Sequence, residues 1–304
     1  MSSPRPGPSP RLAIGLLAHE QPDQVRKLIE ALASDDIVVV LHVDARCPQA
    51  VAEFVPPGSN VVLVEKRHKV WWGHISVVDA TIEIMRTAAA LEPQAFSFIS
   101  GACWPTRSPA AIVERLCAGG PDAPAGHLGA VPMKPGWWTR LDRFHLSRPA
   151  PKLVKMGAVW IGIRLPPRRR SRIPPAYGMS MWFDLRGDVL AWVVAELARD
   201  PGYRRAFRLT HLADEIFFNT LLMSSAFAPE IATVVDPDRN LYGLRYIRWG
   251  DRFHPETLTD DDLCRAEQLD CIFARKVGRP NQPDQPMVEP TTTGDPLPRK
   301  KMPG

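Results

Sequence analysis

A small number of carboxylates stand where the chain could use them for chemistry. Asp44 directly follows the β-branched run of residues 37–43, and the pair Asp214-Glu215 opens a predicted helix. A carboxylate at the end of a buried strand is costly unless it faces a crevice, so Asp44 is a candidate for ligand binding. An acidic pair in a first helical turn is, by itself, more typical of a helix cap.

Paired aspartates around one intervening residue are a common way to hold a divalent metal at a strand end. At that place this chain has Asp44-Ala45-Arg46, which offers no second carboxylate. The segments 236–238 and 260–262 also have aspartates on both sides of one residue, but they match the metal-binding pattern in residue type alone. They lie far downstream in loop-like sequence and are typical of a turn and a helix start. We therefore predict no metal site.

Composition places the chain among globular proteins. Its 304 residues are 45% hydrophobic and 23% charged. Segments 1–10 and 278–304 are rich in proline and polar residues, which predicts disordered tails. Five scattered cysteines without a CxxC spacing favour neither a disulfide framework nor a zinc site. No apolar run has the length of a signal peptide or a membrane span, which favours a cytoplasmic protein.

The charge balance favours an anionic partner. The net charge is +5, and the densest basic run, Arg168 to Arg170 with Arg172, lies between prolines. A phosphate-bearing substrate, peripheral contact with an anionic membrane surface and nucleic acid are the candidates, and a solvated loop is the simplest explanation. Because no nucleic-acid module surrounds the run, we expect no nucleic acid partner.

The hydrophobic pattern alternates between short strands and helices. Strands are predicted at 11–19, 37–43, 60–64, 96–100 and 178–185, and helices at 22–33, 77–91, 109–117, 188–197, 214–225 and 261–269. Ser76 and Asp79 suggest the start of the second helix. Residues 119–175 are expected to form long loops with short elements. Together these elements predict an α/β sandwich whose mostly parallel sheet binds ligands at the carboxyl ends of its strands.

Short motifs in a fixed order extend over residues 11–277. They are Ala18-His19 with Pro22, His42-Val43-Asp44, Trp72-Gly73 with Ser76 and Ala80, Ser100-Gly101 with Pro105, Tyr177 to Trp182, Ala213 to Thr220, Leu244 to Trp249, and Phe273 to Lys276. In this order they resemble the Core-2/I-branching β-1,6-N-acetylglucosaminyltransferase family, which includes peptide O-xylosyltransferases. Two departures are Cys103, where the family commonly has aspartate, and Ala213, where it has proline.

The resemblance implies a GT-A-like, Rossmann-type α/β fold. A single domain is expected over 11–277, with a nucleotide-binding half at 11–118 and an acceptor and catalytic half at 119–277. The implied reaction is inverting transfer of a sugar from a nucleotide-sugar donor, UDP-N-acetylglucosamine, to a hydroxyl of a carbohydrate or glycoconjugate, without a divalent metal or other cofactor. UDP-xylose is the alternative donor. A catalytically inactive sugar-nucleotide-binding protein is a further alternative, for which Cys103 is the only indication.

The resemblance also implies roles for individual residues. Glu215 matches the glutamate of the family's acidic pair and is the expected base, with Asp214 supporting it in the substrate site. Arg245 and Lys276 are expected to replace the metal on the diphosphate, with Arg248 and Arg275 outside that site. Asp44, Trp72, Gly73 and Ser76 are assigned to the nucleotide wall, although a turn and helix cap explain the last three equally well.

The expected acceptor residues lie in the second half of the chain. They are Trp138, Arg140, Arg143 and Trp182. Tryptophan faces stack on sugar rings, and packing in the core is an equal contender for these tryptophans.

Overall fold

Two β-sheets and the helices around them make up the part of the chain that the structure describes. This computed structural model describes residues 10–120, 123–134, 139–145, 171–250 and 254–278. Of the segments predicted to be disordered, only Pro10 and Gly278 fall within these ranges. None of the helices within them is long and apolar enough to cross a bilayer.

The strands follow one another in chain order. They are β1 (Leu12–Ala18), β2 (Ile37–Val43), β3 (Val61–Leu63), β4 (Ala95–Ser100), β5 (Cys103–Pro105), β6 (Gly126–Pro132), β7 (Tyr177–Arg186), β8 (Ile231–Thr233), β9 (Val235–Asp236), β10 (Leu241–Tyr242), β11 (Arg245–Ile247) and β12 (Phe273–Arg275). The larger sheet has seven strands in the order β3-β2-β1-β4-β7-β6-β8. Strands β1 to β4 run parallel, and β7 is antiparallel to both of its neighbours.

The central parallel strands end at one level. Ala18 of β1 pairs with Val43 of β2, and Leu17 pairs with Ser100 of β4. Every residue of β2 is buried, as expected of a β-branched run covered on both faces. The register therefore brings the segments that follow these three strands to the same edge of the sheet.

Helices cover both faces of the large sheet. They are α1 (Pro22–Ala31), α2 (Ser76–Ala89), α3 (Pro109–Cys117), α4 (Thr139–Asp142), α5 (Gly187–Arg199), α6 (Pro201–Ala206), α7 (Phe217–Met223) and α8 (Asp260–Gln268). Helix α1 buries Val25, Leu28 and Ile29 in one apolar cluster, and α2 buries Val78 and Ile82 in another. The predicted α/β sandwich with a mostly parallel sheet is confirmed.

A smaller sheet, with the order β5-β12-β11-β10-β9, packs against the larger one. Phe273 of β12 is buried in the same cluster as Ile14 and Leu16 of β1. Most of these strands have only two or three residues, too few for a periodic pattern to show in the sequence. The sequence predicted none of them.

One local prediction was wrong. Residues 214–225 do not form one helix, because a 3-10 turn over Ala213–Glu215 breaks at Ile216 before α7 begins. Helix α2 begins at Ser76 as predicted, although no side chain caps it. The Ser76 hydroxyl accepts from the Trp71 amide, and the Asp79 carboxylate binds the guanidinium of Arg204 at 2.6 and 2.8 Å.

Candidate active site

The candidate site lies at the edge where the central parallel strands end. His19 and Glu20 follow β1, Asp44 follows β2, and Gly101 follows β4. In sheets of this order, with β1 between β2 and β4, ligands bind at the carboxyl ends of the strands where the chain reverses direction across the sheet.

Asp44 uses its carboxylate within the chain. Its Oδ1 accepts from the amides of Arg46 at 2.8 Å and Val70 at 3.1 Å, and its Oδ2 accepts from Arg46 Nη2 at 3.1 Å and Nε at 3.3 Å. A carboxylate has about four acceptor positions, so these bonds fill them. The predicted direct contact between Asp44 and a nucleotide is therefore not available in this structure, and Arg46 is the group it presents instead.

A tight turn carries Trp72 and Gly73. Gly73 has φ of +68°, and a Cβ at this position would lie 3.3 Å from the His211 ring, so only glycine fits without strain. Its carbonyl accepts from the Leu212 amide at 3.1 Å. Ser76 is 5% exposed and its hydroxyl is used inside the turn, so it does not reach a nucleotide as predicted.

The turn therefore lies against the segment that leads into the acidic pair. Asp214 and Glu215 form the 3-10 turn that directly follows Leu212. The Arg140 guanidinium donates a 2.7 Å hydrogen bond to Glu215 Oε2, and the Glu215 side chain is 23% exposed. Arg140, predicted to bind the acceptor, is thus held on the expected base.

Burial raises the pKa of both carboxyls. For Asp214, which is 8% exposed, burial and then the charge of Glu215 raise the pKa to about 7. Burial also raises the pKa of Glu215, and Arg140 opposes that shift. A single 3-10 turn supplies little helix dipole, so Arg140 is the group that favours the ionised form of Glu215. A partly desolvated carboxylate with a raised pKa has the properties of a general base.

Arg245 does not face the crevice, contrary to the sequence-based assignment. Its side chain is 1% exposed and pairs with Asp184, with Nη2 to Oδ1 at 2.7 Å. Nη2 also donates to the Ser97 hydroxyl at 2.9 Å. Because both guanidinium ends are engaged inside the protein, Arg245 cannot bind a diphosphate in this arrangement.

By contrast, Arg275, the last residue of β12, and Lys276, which follows it, have no carboxylate partner within hydrogen-bonding distance among the residues that the structure describes. The Arg275 guanidinium lies 4.4 Å from the centre of the Trp182 ring, and its Nε is buried without a hydrogen-bond partner. Its strand partner is Cys103, so a thiol stands where the family commonly has aspartate. Burial lowers the pKa of Lys276, the charge of Arg275 lowers it further, and Glu20 opposes both effects.

Lys276 is located by backbone bonds at the same sheet edge. The next residue, Val277, donates from its amide to the carbonyl of Ala102, just after β4. Trp182, predicted to contact substrate, is only 5% exposed and packs between Arg275 and Phe98, whose ring centre lies 5.2 Å away. It packs against Arg275, and its low exposure leaves little surface for the predicted contact with substrate.

Trp72 links the acidic and the basic parts of the site. Its indole centroid lies 5.9 Å from the His211 ring and 6.2 Å from the His254 ring. His211 precedes Leu212, whereas His254 belongs to a segment that pairs with Lys276: the Lys276 amide donates to Glu256 O and the Leu258 amide to Lys276 O. The carboxylates and the cations therefore border one region.

The other predicted acceptor residues are Trp138 and Arg143. Trp138 lies outside the described residues, and so do residues 168–170 of the basic run. Arg143 is exposed at the end of α4.

A cavity of about 350 Å³ is lined by Arg115, His127 and Arg186, near the start of β4, and none of the predicted site residues lines it.

The acidic segments that resemble metal motifs have structural roles. Asp236 accepts from the Arg239 amide in a turn, and Asp262 closes a capping box with Thr259 at the start of α8. Both were predicted as turn and helix-start residues. Within the described ranges no three His, Cys, Asp or Glu side chains lie together as a metal-ligand group.

The sequence assignments missed His211, His254 and Asp184, and they placed Arg275 outside the diphosphate site. His211 lies three positions before Asp214, and Arg275 is the residue before Lys276. Their nearness in sequence to predicted site residues was the available signal. Asp184 gave none, because it is a single acidic residue within an otherwise apolar strand.

Two of three comparisons with known proteins found a similar protein or family. The model of the family described as "Branch: Core-2/I-Branching enzyme" matches residues 17–271. A search of curated proteins found no match. Among solved structures, apo mouse xyloside xylosyltransferase 1 is similar over 90% of this chain and 100% of its own, with 14% identity and a TM-score of 0.40.

The family match spans most of the chain, from the end of β1 to the residues just before β12. It includes the turn at Trp72, the acidic pair and the strand of Arg245. The chain therefore belongs to the Core-2/I-branching enzyme family and is a glycosyltransferase.

Proposed function

We propose that this protein is an inverting, metal-independent glycosyltransferase that uses a UDP-sugar donor. The observation that carries the proposal is that the segments next to Trp72 lead to a desolvated carboxylate pair and to two cations, which have no carboxylate partner among the described residues. Inverting transfer needs these two elements, a base for the acceptor hydroxyl and positive charge for the departing diphosphate.

Glu215 is the proposed base. The acceptor oxygen attacks the anomeric carbon of the donor sugar, and its proton passes to the Glu215 carboxylate. Arg140 holds that carboxylate in place by the 2.7 Å hydrogen bond, while its charge limits how far the pKa rises. Buried Asp214 lies behind Glu215, and its raised pKa keeps it partly protonated near neutral pH.

Arg275 and Lys276 are the proposed diphosphate ligands. The bond between the anomeric carbon and the β-phosphate oxygen breaks, and the electron pair leaves with UDP. A guanidinium and an ammonium side by side can neutralise that charge in a partly dry cleft. This proposal keeps Lys276 from the sequence-based assignment and replaces Arg245 with Arg275, because Arg245 is committed to Asp184.

The proposed donor is UDP-N-acetylglucosamine, with UDP-xylose as the second candidate. The family resemblance supports both donors equally well. The proposed acceptor is a hydroxyl of a carbohydrate or glycoconjugate.

Calorimetry of UDP binding, together with release of UDP from each donor, tests the proposal. We expect UDP to bind in the presence of EDTA, and one of the two donors to be hydrolysed faster and to inhibit hydrolysis of the other. Absence of UDP binding would contradict the proposed function. Binding of UDP without turnover of either donor would support an inactive nucleotide-binding protein.

A further inference from the structure

Trp72 is an unusual surface residue. Its side chain is 63% exposed, and among the large hydrophobic residues that the structure describes only Leu63, at 44%, is also exposed. Exposed aromatic residues beside polar groups commonly mark ligand-binding sites. Packing in the core does not explain why the indole of Trp72 faces solvent.

The two consecutive tryptophans serve different sides of the site. The Arg46 guanidinium lies 5.2 Å from the ring of Trp71, and Arg46 is bound to Asp44 at the end of β2. Trp72 instead contacts His211 and His254. Trp71 is therefore the residue on the side predicted to bind nucleotide, and Trp72 faces the region between the carboxylates and the cations.

The surroundings of Trp72 suit a ligand with both an apolar face and hydroxyl groups. The His211 and His254 rings meet the indole at 74° and 52°, so their nitrogens border a largely exposed ring. Burial and the nearby His145 and Arg140 lower the pKa of His211 to about 4. A neutral imidazole can both donate to and accept from hydroxyls at neutral pH.

Resting on the proposed function, we infer that Trp72, flanked by His211 and His254, forms the platform on which a sugar ring of the acceptor stacks. The chain of contacts from Trp72 through His211 to the segment of Glu215 places such a ring beside the proposed base. The exposure of Trp72 favours the acceptor, which enters from solvent, over the donor, whose proposed ligand Arg275 is partly buried and packs on Trp182. The hydrogen bond from the Leu212 amide to the Gly73 carbonyl joins the turn that carries Trp72 to the segment that leads into Glu215.

Retention on an array of immobilised oligosaccharides, with UDP present, tests this inference. We expect Trp72→Ala to lose retention of the glycans that the wild type binds by about tenfold, the upper range for an aromatic stacking contact. Trp72→Phe should keep most of it. Leu63→Ala removes the other exposed hydrophobic side chain and should change nothing. Thermal melting of all variants checks that each is folded.

Calorimetry with UDP and UDP-N-acetylglucosamine separates this inference from the proposed function. We expect Trp72→Ala to bind both with wild-type affinity. Weaker binding of either nucleotide would assign Trp72 to the donor, and unchanged glycan retention or a wild type that retains no glycan would also overturn the inference. Failure of the wild type to bind UDP would overturn the proposed function itself.

Discussion

Arg245 of β11 and Asp184 of β7 form a buried ion pair that fastens the small sheet to the large one. Both side chains are at most 2% exposed, and Ser97 of β4 accepts a further bond from the same guanidinium. Ser97 and Asp184 are partners across β4 and β7, so the arginine binds two adjacent strands of the large sheet. The ion pair is structural, so its removal should lower the stability of the fold and should not act directly on ligand binding.

Arg245→Met should lower the free energy of unfolding by roughly 3–5 kcal/mol, because it leaves the Asp184 carboxylate buried without its partner. The double variant with Asp184→Leu should regain much of that loss, since it buries no charge. Urea denaturation of the two single variants and the double variant measures this. A stable Arg245→Met protein with weakened UDP binding would instead show that Arg245 is a phosphate ligand.

Arg275→Ala and Lys276→Ala should each weaken UDP binding by roughly 10- to 150-fold, the effect of losing one charge-assisted hydrogen bond. Because both cations act on one diphosphate, the double variant should be non-additive by about 0.5–3 kcal/mol. Titration calorimetry with UDP measures all three affinities.

Lys27→Ala is the matched control for that cycle. Lys27 is exposed on α1, the helix that follows β1, so the variant removes the same charge near the same edge of the sheet. It should leave UDP affinity within about twofold of the wild type, since exposed charges are largely screened. An equal loss in this control would mean that net charge, and not a phosphate site, governs binding.

Local sequence patterns predicted most of the architecture. The run at residues 37–43 is buried on both faces because it is almost entirely apolar, with His42 as its one polar side chain, and the helix at 109–117 has the predicted bounds. Strands and helices of this kind are determined by residues close together in the sequence, so hydrophobic periodicity and composition are enough to predict them. The 3-10 turn at Asp214 depends on contacts with the Gly73 turn, so sequence periodicity could not reveal it.

The site was predicted less well because side-chain availability is a tertiary property. Arg245 matches the family motif, yet its carboxylate partner lies 61 positions earlier in the chain. Asp44 ends a strand as predicted, but the amide that completes its bonding comes from Val70. In each case the residue type is the expected one, but its side chain is already bonded to a partner that no local sequence pattern indicates.

Turnover should survive EDTA, because Arg275 and Lys276 are proposed to carry the charge stabilisation that a divalent metal can also supply. The measurement is UDP release from the preferred donor before and after dialysis against chelator. Loss of turnover that manganese restores would contradict the metal-free mechanism and leave the phosphate role of the two cations in need of another explanation.

Stability should depend on pH through Asp214. Its folded-state pKa, about 7, is above the ordinary aspartate value, so the folded state holds a proton that the unfolded state releases. The stabilisation is complete below about pH 4 and is lost as the pH rises through 7. Asp214→Asn should therefore gain stability over the wild type at pH 8, by on the order of a few kcal/mol, and lose that advantage at pH 4. Denaturation curves of variant and wild type at both pH values measure this. An equal difference in stability at pH 4 and at pH 8 would contradict the prediction.

Glu215→Gln should bind UDP normally and lose turnover by about 10²–10⁴-fold, because the change keeps the shape and removes only the basicity. The wild-type rate should fall as the pH drops through the raised pKa of Glu215, and the residual rate of the variant should lack that limb. Glu196→Gln is the matched control: Glu196 is also 23% exposed and also accepts from an arginine, Arg199, at 2.9 Å. It lies on the surface helix α5, so its loss should leave turnover and its pH profile unchanged. If both variants keep normal turnover, Glu215 is only a partner for Arg140, and the proton acceptor must be sought elsewhere around Trp72.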